Sequence, residues 1–166
     1  MRNARKYDDR ITVGSVPDQD DLNQLKEIGF KTLVDLRDED EKFGGYVAKR
    51  TTALGLRYIS IPIRRDDITV EDAVRFFNVV YEKGSAPIYA FSRFGKRPLA
   101  LLLLLETVSK GEPLYKVYQR AATFGLDLEG DITLKAFLVE FYNAHWLEPI
   151  AENLAKLRPD LFAKKP

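Results

Sequence analysis

The chain has 166 residues, of which 45% are hydrophobic and 31% charged, and it contains no cysteine. That length suits one compact domain, or two small ones, with enough chain to bury a core. The lack of cysteine excludes disulfides, thiolate metal sites and a cysteine nucleophile in the chain as it stands. The formal net charge of +1 gives no bulk field for nucleic acid, so any affinity for anions must be local.

The first nine residues are charged and lack the apolar stretch of a signal peptide. The longest apolar run, Leu99 to Leu105, is far too short to cross a bilayer, which needs about 20 residues. We therefore expect a soluble, cytoplasmic protein that associates with neither membranes nor nucleic acid.

Short apolar runs alternate with helical periodicity along the first two thirds of the chain. Strands are predicted at 10–14, 31–36, 56–61 and 87–91. Helices are predicted from Pro17 to Gly29, over 46–54, and from the N-cap Thr69 to Gly84. This alternation is typical of an α/β fold with a mainly parallel sheet of four to five strands and helices on both sides.

A helix with five consecutive leucines follows Pro98, and only helices are predicted after residue 112, at 113–123, 132–143 and 147–157. We expect a single domain over 1–166, made of an α/β core (8–111) and a helical C-terminal extension (112–166). One helix of this extension has a wide apolar face formed by Leu134, Phe137, Leu138, Phe141 and Tyr142. We interpret this face as core packing, with a homodimer surface as the alternative.

The segment 92–97 joins the last apolar strand to the leucine-rich helix and carries one glycine and three basic residues. Loop amides and the positive end of the helix would converge beyond the carboxyl end of the strand, where open α/β sheets bind ligands. Gly95 lets the backbone turn, and Arg97 can bind two oxygens of phosphate or sulfate at once. The same spacing fits a basic surface turn equally well.

Several blocks, taken together, resemble a known family. They are 11–14, Pro17, Asp21-Leu22, Leu25, 29–32, 34–37 and 55–63, with the loop 92–97 in the position of the family's signature. In this order they resemble the bacterial phosphatase-like domain of the beta-lactamase-hydrolase-like family, within the cysteine-dependent protein tyrosine and dual-specificity phosphatase superfamily. The resemblance covers about residues 8 to 130 and implies a three-layer fold, a phosphate ester as ligand, and no metal or cofactor.

The family's loop begins with a cysteine nucleophile and ends with an arginine that binds phosphate. By resemblance, Ser92 occupies the nucleophile position and Arg97 that of the phosphate-binding arginine. The rest of the phosphate-binding loop is then Arg93, Phe94, Gly95 and Lys96. The family's general acid is an aspartate after the third predicted strand, where Asp66 and Asp67 are the candidates. The alternative is that these aspartates only precede the helix N-cap.

A serine hydroxyl is far less acidic than a thiol and needs an adjacent base to act as a nucleophile. The only histidine, His145, lies in the C-terminal extension, where packing or surface exposure is expected. We therefore expect phosphate binding with slow turnover or none. Ser92 would mark either an inactive pseudophosphatase or a cysteine-to-serine change made to trap a ligand; departures from the family at Phe91 and Pro98 favour natural divergence. The alternatives are an adaptor for phosphorylated partners and a rhodanese-like sulfur-carrier relative.

Residues 35–41 contain five acids but lack the pattern of a calcium-binding loop. We interpret this acidic segment as a solvated turn, and Arg37 within it as a structural ion-pair partner. Four basic residues are expected to form a positive rim around the site. They are Arg64, Arg65, Arg93 and Lys96.

Overall fold

A computed structural model describes residues 1 and 3–162, except for the side chains of 161 and 162. The strands in this part are β1 (Arg5–Lys6), β2 (Ile11–Gly14), β3 (Thr32–Asp35), β4 (Arg57–Ser60) and β5 (Ile88–Phe91). The helices are α1 (Gln19–Ile28), α2 (Tyr46–Ala53), α3 (Val70–Val80), α4 (Lys96–Ser109), α5 (Tyr115–Thr123), α6 (Ile132–Asn143), α7 (Leu147–Leu157) and α8 (Pro159–Phe162), with a 3-10 turn at Glu39–Glu41.

The strands form one sheet in the order β1-β2-β5-β3-β4. All pairs are parallel except β1 with β2. The predicted α/β class and mainly parallel sheet are therefore confirmed. The sequence did not indicate β1, because a two-residue strand is too short to show an alternating pattern.

The middle of the sheet is fully buried. Every residue of β3 and β5 is buried, so both faces of these strands are covered. In register, Phe91 at the end of β5 lies beside Gly14 of β2 and Asp35 of β3. The segments that leave these three parallel strands therefore start at one edge of the sheet.

Helix boundaries follow local capping chemistry. The side chains of Asp18 and Thr69 each accept a hydrogen bond from a backbone amide in the first turn, of α1 and α3 respectively. Gly29 ends α1 with a left-handed φ of 104°. The predicted start of α4 at Pro98 is wrong by two residues, because proline is tolerated within a first turn whose amides have no helical acceptor.

The described chain divides into two compact units, Met1–Leu99 and a second that begins at Ala100. Four of the five residues on the apolar face of α6 in the second unit are buried, as predicted for core packing; Tyr142 is half-buried and Phe141 is 3% exposed. Its ring packs 5.0 Å from that of Trp146. The prediction of a single domain stays a prediction. In the described part of the chain, no helix is long and apolar enough to cross a membrane.

Candidate functional site

The loop that follows β5 starts between the ends of two neighbouring strands. The amide of Ser92 donates a hydrogen bond to the carbonyl of Gly14 at the end of β2, over 3.3 Å. The Ser92 side chain is buried, with the residue 1% exposed. Because the register of the sheet fixes the ends of β2 and β5, it also fixes where this loop begins.

Gly95 closes the loop over β2. Its φ is +80°, a left-handed conformation that other residues rarely adopt. A Cβ at this position would lie 3.0 Å from the carbonyl carbon of Gly14, tighter than nine in ten real Cβ contacts. The amide of Gly95 donates to the hydroxyl oxygen of Ser92 over 3.2 Å. Glycine is therefore required here both by backbone conformation and by space.

Arg97, in the first turn of α4, is buried at 3% exposure and held by two other segments. Its Nη1 donates to the carbonyls of Leu36 and Ile63, over 3.1 and 2.9 Å. Its Nη1 and Nη2 each lie 2.7 Å from a carboxylate oxygen of Glu41. The guanidinium is thus fixed beside the loop by the segments that leave β3 and β4.

Glu41 is a site residue that the sequence did not reveal. The prediction of a solvated turn is wrong for this residue, whose side chain is only 20% exposed because it pairs with Arg97. Its Oε1 also accepts from the amide of Asp38, 3.0 Å away. Burial raises the pKa of Glu41, but the hydrogen bonds from Arg97 and Asp38 outweigh it and lower the pKa below its ordinary value.

The Asp38 and Glu41 spacing is a capping box, and it could have located the 3-10 turn. It could not have identified Arg97 as the partner of Glu41, because the two residues are 56 positions apart in the sequence.

A second buried ion pair supports the end of β3. Asp35, for which the prediction of a solvated turn is also wrong because it is fully buried at the end of β3, accepts from Arg37 Nε at 3.0 Å and Nη2 at 2.7 Å, and from the Tyr58 hydroxyl at 2.6 Å. The Arg37 guanidinium lies 5.5 Å from the centre of the Phe91 ring. Burial and the bond to Asp35 raise the pKa of Tyr58, so it stays a donor. The prediction that Arg37 is a structural ion-pair partner is confirmed.

The tip of the loop faces solvent. Phe94 is 50% exposed, and the Arg93 guanidinium lies 5.1 Å from the centre of its ring. Arg93 is exposed as well, and Lys96 is half-buried. These side chains form an aromatic and cationic rim, and two other members of the predicted rim, Arg64 and Arg65, are also exposed.

The two candidate general acids lie in a tight turn after β4. The amide of Asp67 donates to the carbonyl of Arg64, and both aspartates are exposed. The carboxylate of Asp66 pairs with Arg64, whose Nε is 3.4 Å away. This turn begins directly after Ile63, whose carbonyl binds Arg97. In the described structure neither carboxylate hydrogen-bonds to the loop 92–97, and the N-cap of α3 is Thr69.

The geometry favours holding an anion over activating a nucleophile. Buried Arg97, the loop amides and the start of α4 provide hydrogen-bond donors and positive charge. Within the described chain, no histidine or carboxylate side chain hydrogen-bonds to the Ser92 hydroxyl. His145 is exposed and its Nδ1 lies 2.7 Å from a carboxylate oxygen of Glu148, consistent with a surface position.

Known proteins share this architecture. The family model for a dual-specificity and protein-tyrosine (DSP-PTPase) phosphatase fused to NAD+ kinase matches residues 2–111. The beta-lactamase hydrolase-like protein of Agrobacterium fabrum is 27% identical over 129 residues, which are 75% of this chain and 30% of that protein. The chain therefore spans less than a third of this curated relative.

Two solved structures show the same fold. The core catalytic domain of the Saccharomyces cerevisiae PP-IP phosphatase SIW14, in complex with citrate, superposes with a TM-score of 0.75 at 16% identity, covering 95% of this chain and 93% of that one. A cysteine-to-serine variant of Pseudomonas aeruginosa TpbA, in complex with phosphotyrosine, superposes with a TM-score of 0.61 at 14% identity, covering 82% of each chain. The three-layer fold expected from the resemblance, including its helical C-terminal part, is confirmed.

Proposed function

Because the chain belongs to the family of DSP-PTPase phosphatases fused to NAD+ kinase, we propose that it binds phosphate monoesters in the loop 92–97. The observation that carries this proposal is the buried Arg97 guanidinium, fixed by two backbone carbonyls and Glu41 beside the loop. A guanidinium already held in place loses little freedom when it binds a ligand, so it is well suited to two oxygens of a phosphate.

The contacts of Arg97 leave one edge of its guanidinium for a ligand. Arginine has five N–H groups, and the bonds to Leu36, Ile63 and Glu41 use Nη1 and one hydrogen of Nη2. The Nε hydrogen and the other Nη2 hydrogen form a parallel pair, the arrangement that binds phosphate through two oxygens. The amides of Arg93 and Phe94 would bind the remaining oxygens, since the Gly95 amide is used by the Ser92 hydroxyl.

With Ser92 in the position of the family's nucleophile, the bound ester would turn over slowly or not at all. The Ser92 hydroxyl accepts a hydrogen bond from Gly95, and without an adjacent base it stays protonated. The TpbA variant supports this proposal, because a cysteine-to-serine change in that protein is compatible with a bound phosphotyrosine. The chain as it stands would act as a phosphate-ester binding protein on a phosphatase scaffold.

If the position of Ser92 carried a thiolate, Asp67 would be the general acid. The carboxylate of Asp66 is engaged by Arg64, whereas within the described chain no side chain pairs with the carboxylate of Asp67. A general acid must reach the leaving oxygen, so a carboxylate without a fixed partner suits this role better.

Phosphate binding is tested by titrating the protein with phenyl phosphate and following its backbone amides by NMR. We expect saturable shifts at residues 93–97. Arg97→Lys keeps the charge opposite Glu41 but loses the two-pronged contact, so the dissociation constant should rise about tenfold or more.

Arg75→Lys on α3 is the matched control, because Arg75 is exposed and, among the described residues, pairs only with Asp72 on its own helix. It should leave the dissociation constant unchanged. Absence of shifts at 93–97 would refute the proposal, and so would equal affinity of a folded Arg97→Lys protein and its parent.

A further inference from the structure

The first unit contains a cavity of about 330 Å³ that the proposed phosphate site does not use. It is lined by the first turn of α2, the end of β4 and the segment after β3. Within the described chain, neither the loop 92–97 nor the turn 64–67 contributes to the lining. Since a liquid water occupies about 30 Å³, the cavity has room for about a dozen non-hydrogen atoms.

Two cationic side chains at the cavity are largely buried. The side chain of Arg37 is 9% exposed and that of Lys42 12% exposed. Arg37 is held by Asp35 through Nε and Nη2, so its Nη1 hydrogens lie outside that pair. Lys42 donates to the hydroxyl of Ser60 and to Glu39, whose carboxylate is 3.1 Å away.

The charge balance in the cavity favours an anion. Asp35 is fully buried and compensates Arg37. The counter-ion of Lys42, in contrast, is Glu39, which is 71% exposed and so strongly screened by solvent. Lys42 is therefore a mostly buried cation whose charge is incompletely compensated inside the cavity, and an anionic group there would lower its desolvation cost.

Aromatic side chains form much of the remaining wall. Phe43 is 86% exposed and Tyr46 42% exposed, and both line the cavity together with the half-buried Tyr58. An aromatic ring that packs against these faces would remove apolar surface from water and gain stacking or edge contacts. The walls are thus apolar while the cations supply polar contacts, the usual composition of a small-molecule site.

We propose that this cavity binds a small aromatic anion, a carboxylic acid with one or two rings. Its acid group would contact Lys42 and Arg37, and its ring would pack against Phe43 and Tyr46. The two sites are neighbours through a single segment: Leu36 and Glu41 bind Arg97, whereas Arg37, Glu39 and Lys42 line the cavity. The inference does not require that the loop 92–97 binds phosphate.

The test uses 2-naphthoate as the probe, with backbone NMR of the full chain. We expect saturable shifts at 45–48, Tyr58 and Ser60. Acetate, which lacks the ring, and 2-naphthalenemethanol, which lacks the charge, should each bind about tenfold more weakly or worse.

Lys42→Met removes the cation and should weaken 2-naphthoate about tenfold. Lys49→Met is the matched control, because Lys49 is exposed on α2, whose first turn lines the cavity, and does not itself line it. It should leave the affinity unchanged.

Three results of the 2-naphthoate titration would overturn the inference. They are no change in the amide chemical shifts, changes confined to residues 92–97, or an unchanged affinity for 2-naphthoate in a folded Lys42→Met protein. Phenyl phosphate is followed at 93–97 and 2-naphthoate at 45–48, Tyr58 and Ser60, so the two titrations report the two sites separately. The cavity and the phosphate site can therefore fail independently.

Discussion

At the scale of single residues, the ion pair of Arg97 and Glu41 fixes the guanidinium that we propose as the phosphate-binding group. Burying the Arg97 guanidinium without a carboxylate would cost free energy of folding. Each partner also has a hydrogen bond outside the pair, because Arg97 donates to the Leu36 carbonyl and Glu41 accepts from the Asp38 amide. Glu41 therefore positions Arg97 rather than contacting a ligand. Its removal should affect both folding and anion binding.

We expect Glu41→Gln to lower the free energy of unfolding by about 1.5–3 kcal/mol at pH 7, because it removes charged hydrogen bonds. Urea denaturation measures this difference. The pKa of Glu41 is lower in the folded protein than its ordinary value near 4.3. Its contribution is therefore fully present above about pH 4.3 and is lost as the pH falls through the folded-state pKa.

Glu39→Gln is the control in the same turn, since Glu39 is largely exposed and its loss should cost at most about 1 kcal/mol. A Glu41→Gln protein as stable as its parent at pH 7, or one whose deficit persists unchanged in acid, would show that the pair does not stabilise the fold.

Arg97 and Gly95 were predicted as site residues from the sequence because they lie together in one loop after a strand, whereas Ser92 was assigned by the family resemblance alone. Glu41 was not predicted as a site residue, because a local sequence pattern can indicate a turn but not the partner of a side chain on another segment. Likewise, the sequence placed Arg37 in an ion pair but could not show its guanidinium against Phe91.

At the scale of elements, the close approach of the loop to β2 gives the site its shape. The predicted strands and helices are correct to within a few residues, because periodicity and caps are local signals. The contact between Gly95 and Gly14 joins elements distant in sequence, and only the sheet order reveals it.

This contact predicts unequal effects of two glycine substitutions. Gly84→Ala places a Cβ in open space, so it should cost only the left-handed strain of about 1–2 kcal/mol. Gly95→Ala has similar strain and also clashes with Gly14, which should add about 1–3 kcal/mol.

Gly95→Ala should also weaken phenyl phosphate binding, because the loop must move, whereas Gly84→Ala should not. Urea denaturation and the phosphate titration measure both effects. Equal stability and equal affinity of the two variants would mean that the loop does not depend on this approach.

At the scale of the whole molecule, the chain is predicted to be a single domain, and its described part divides into two compact units. The sequence offered no linker composition between the α/β part and the helical part. The boundary between the two units nevertheless falls inside α4, after Leu99. Such a boundary depends on three-dimensional contacts, which no local composition encodes.

Cooperative unfolding tests the single-domain prediction. Thr69→Ala removes the N-cap of α3 in the first unit and should cost about 1 kcal/mol, or about 2–4 °C in Tm. The only tryptophan, Trp146, lies in the second unit. If the chain is one cooperative domain, fluorescence of Trp146 and far-UV circular dichroism should shift together.

Thr52→Ala is the control, because this exposed hydroxyl bonds within α2 and caps no helix terminus. A Trp146 transition that is unmoved by Thr69→Ala, while circular dichroism shifts, would mean two independent domains.

The central claim is that a phosphatase scaffold binds phosphate esters here with serine in the nucleophile position. A Ser92→Cys protein would regain a thiol at the nucleophile position. The loop amides and Arg97 would lower the pKa of this thiol, so that a thiolate nucleophile is present at neutral pH. On this background Asp67→Asn should reduce kcat about 10²-fold, while Asp66→Asn should have little effect.

The most direct measurement is steady-state hydrolysis of p-nitrophenyl phosphate by the Ser92→Cys protein beside its parent. We predict turnover that is clearly above that of the parent and falls about 10²-fold when Arg97→Lys is added. A folded Ser92→Cys protein that binds phenyl phosphate but hydrolyses no faster than the parent would contradict the assignment of Ser92 and favour a non-catalytic phosphate-ester adaptor.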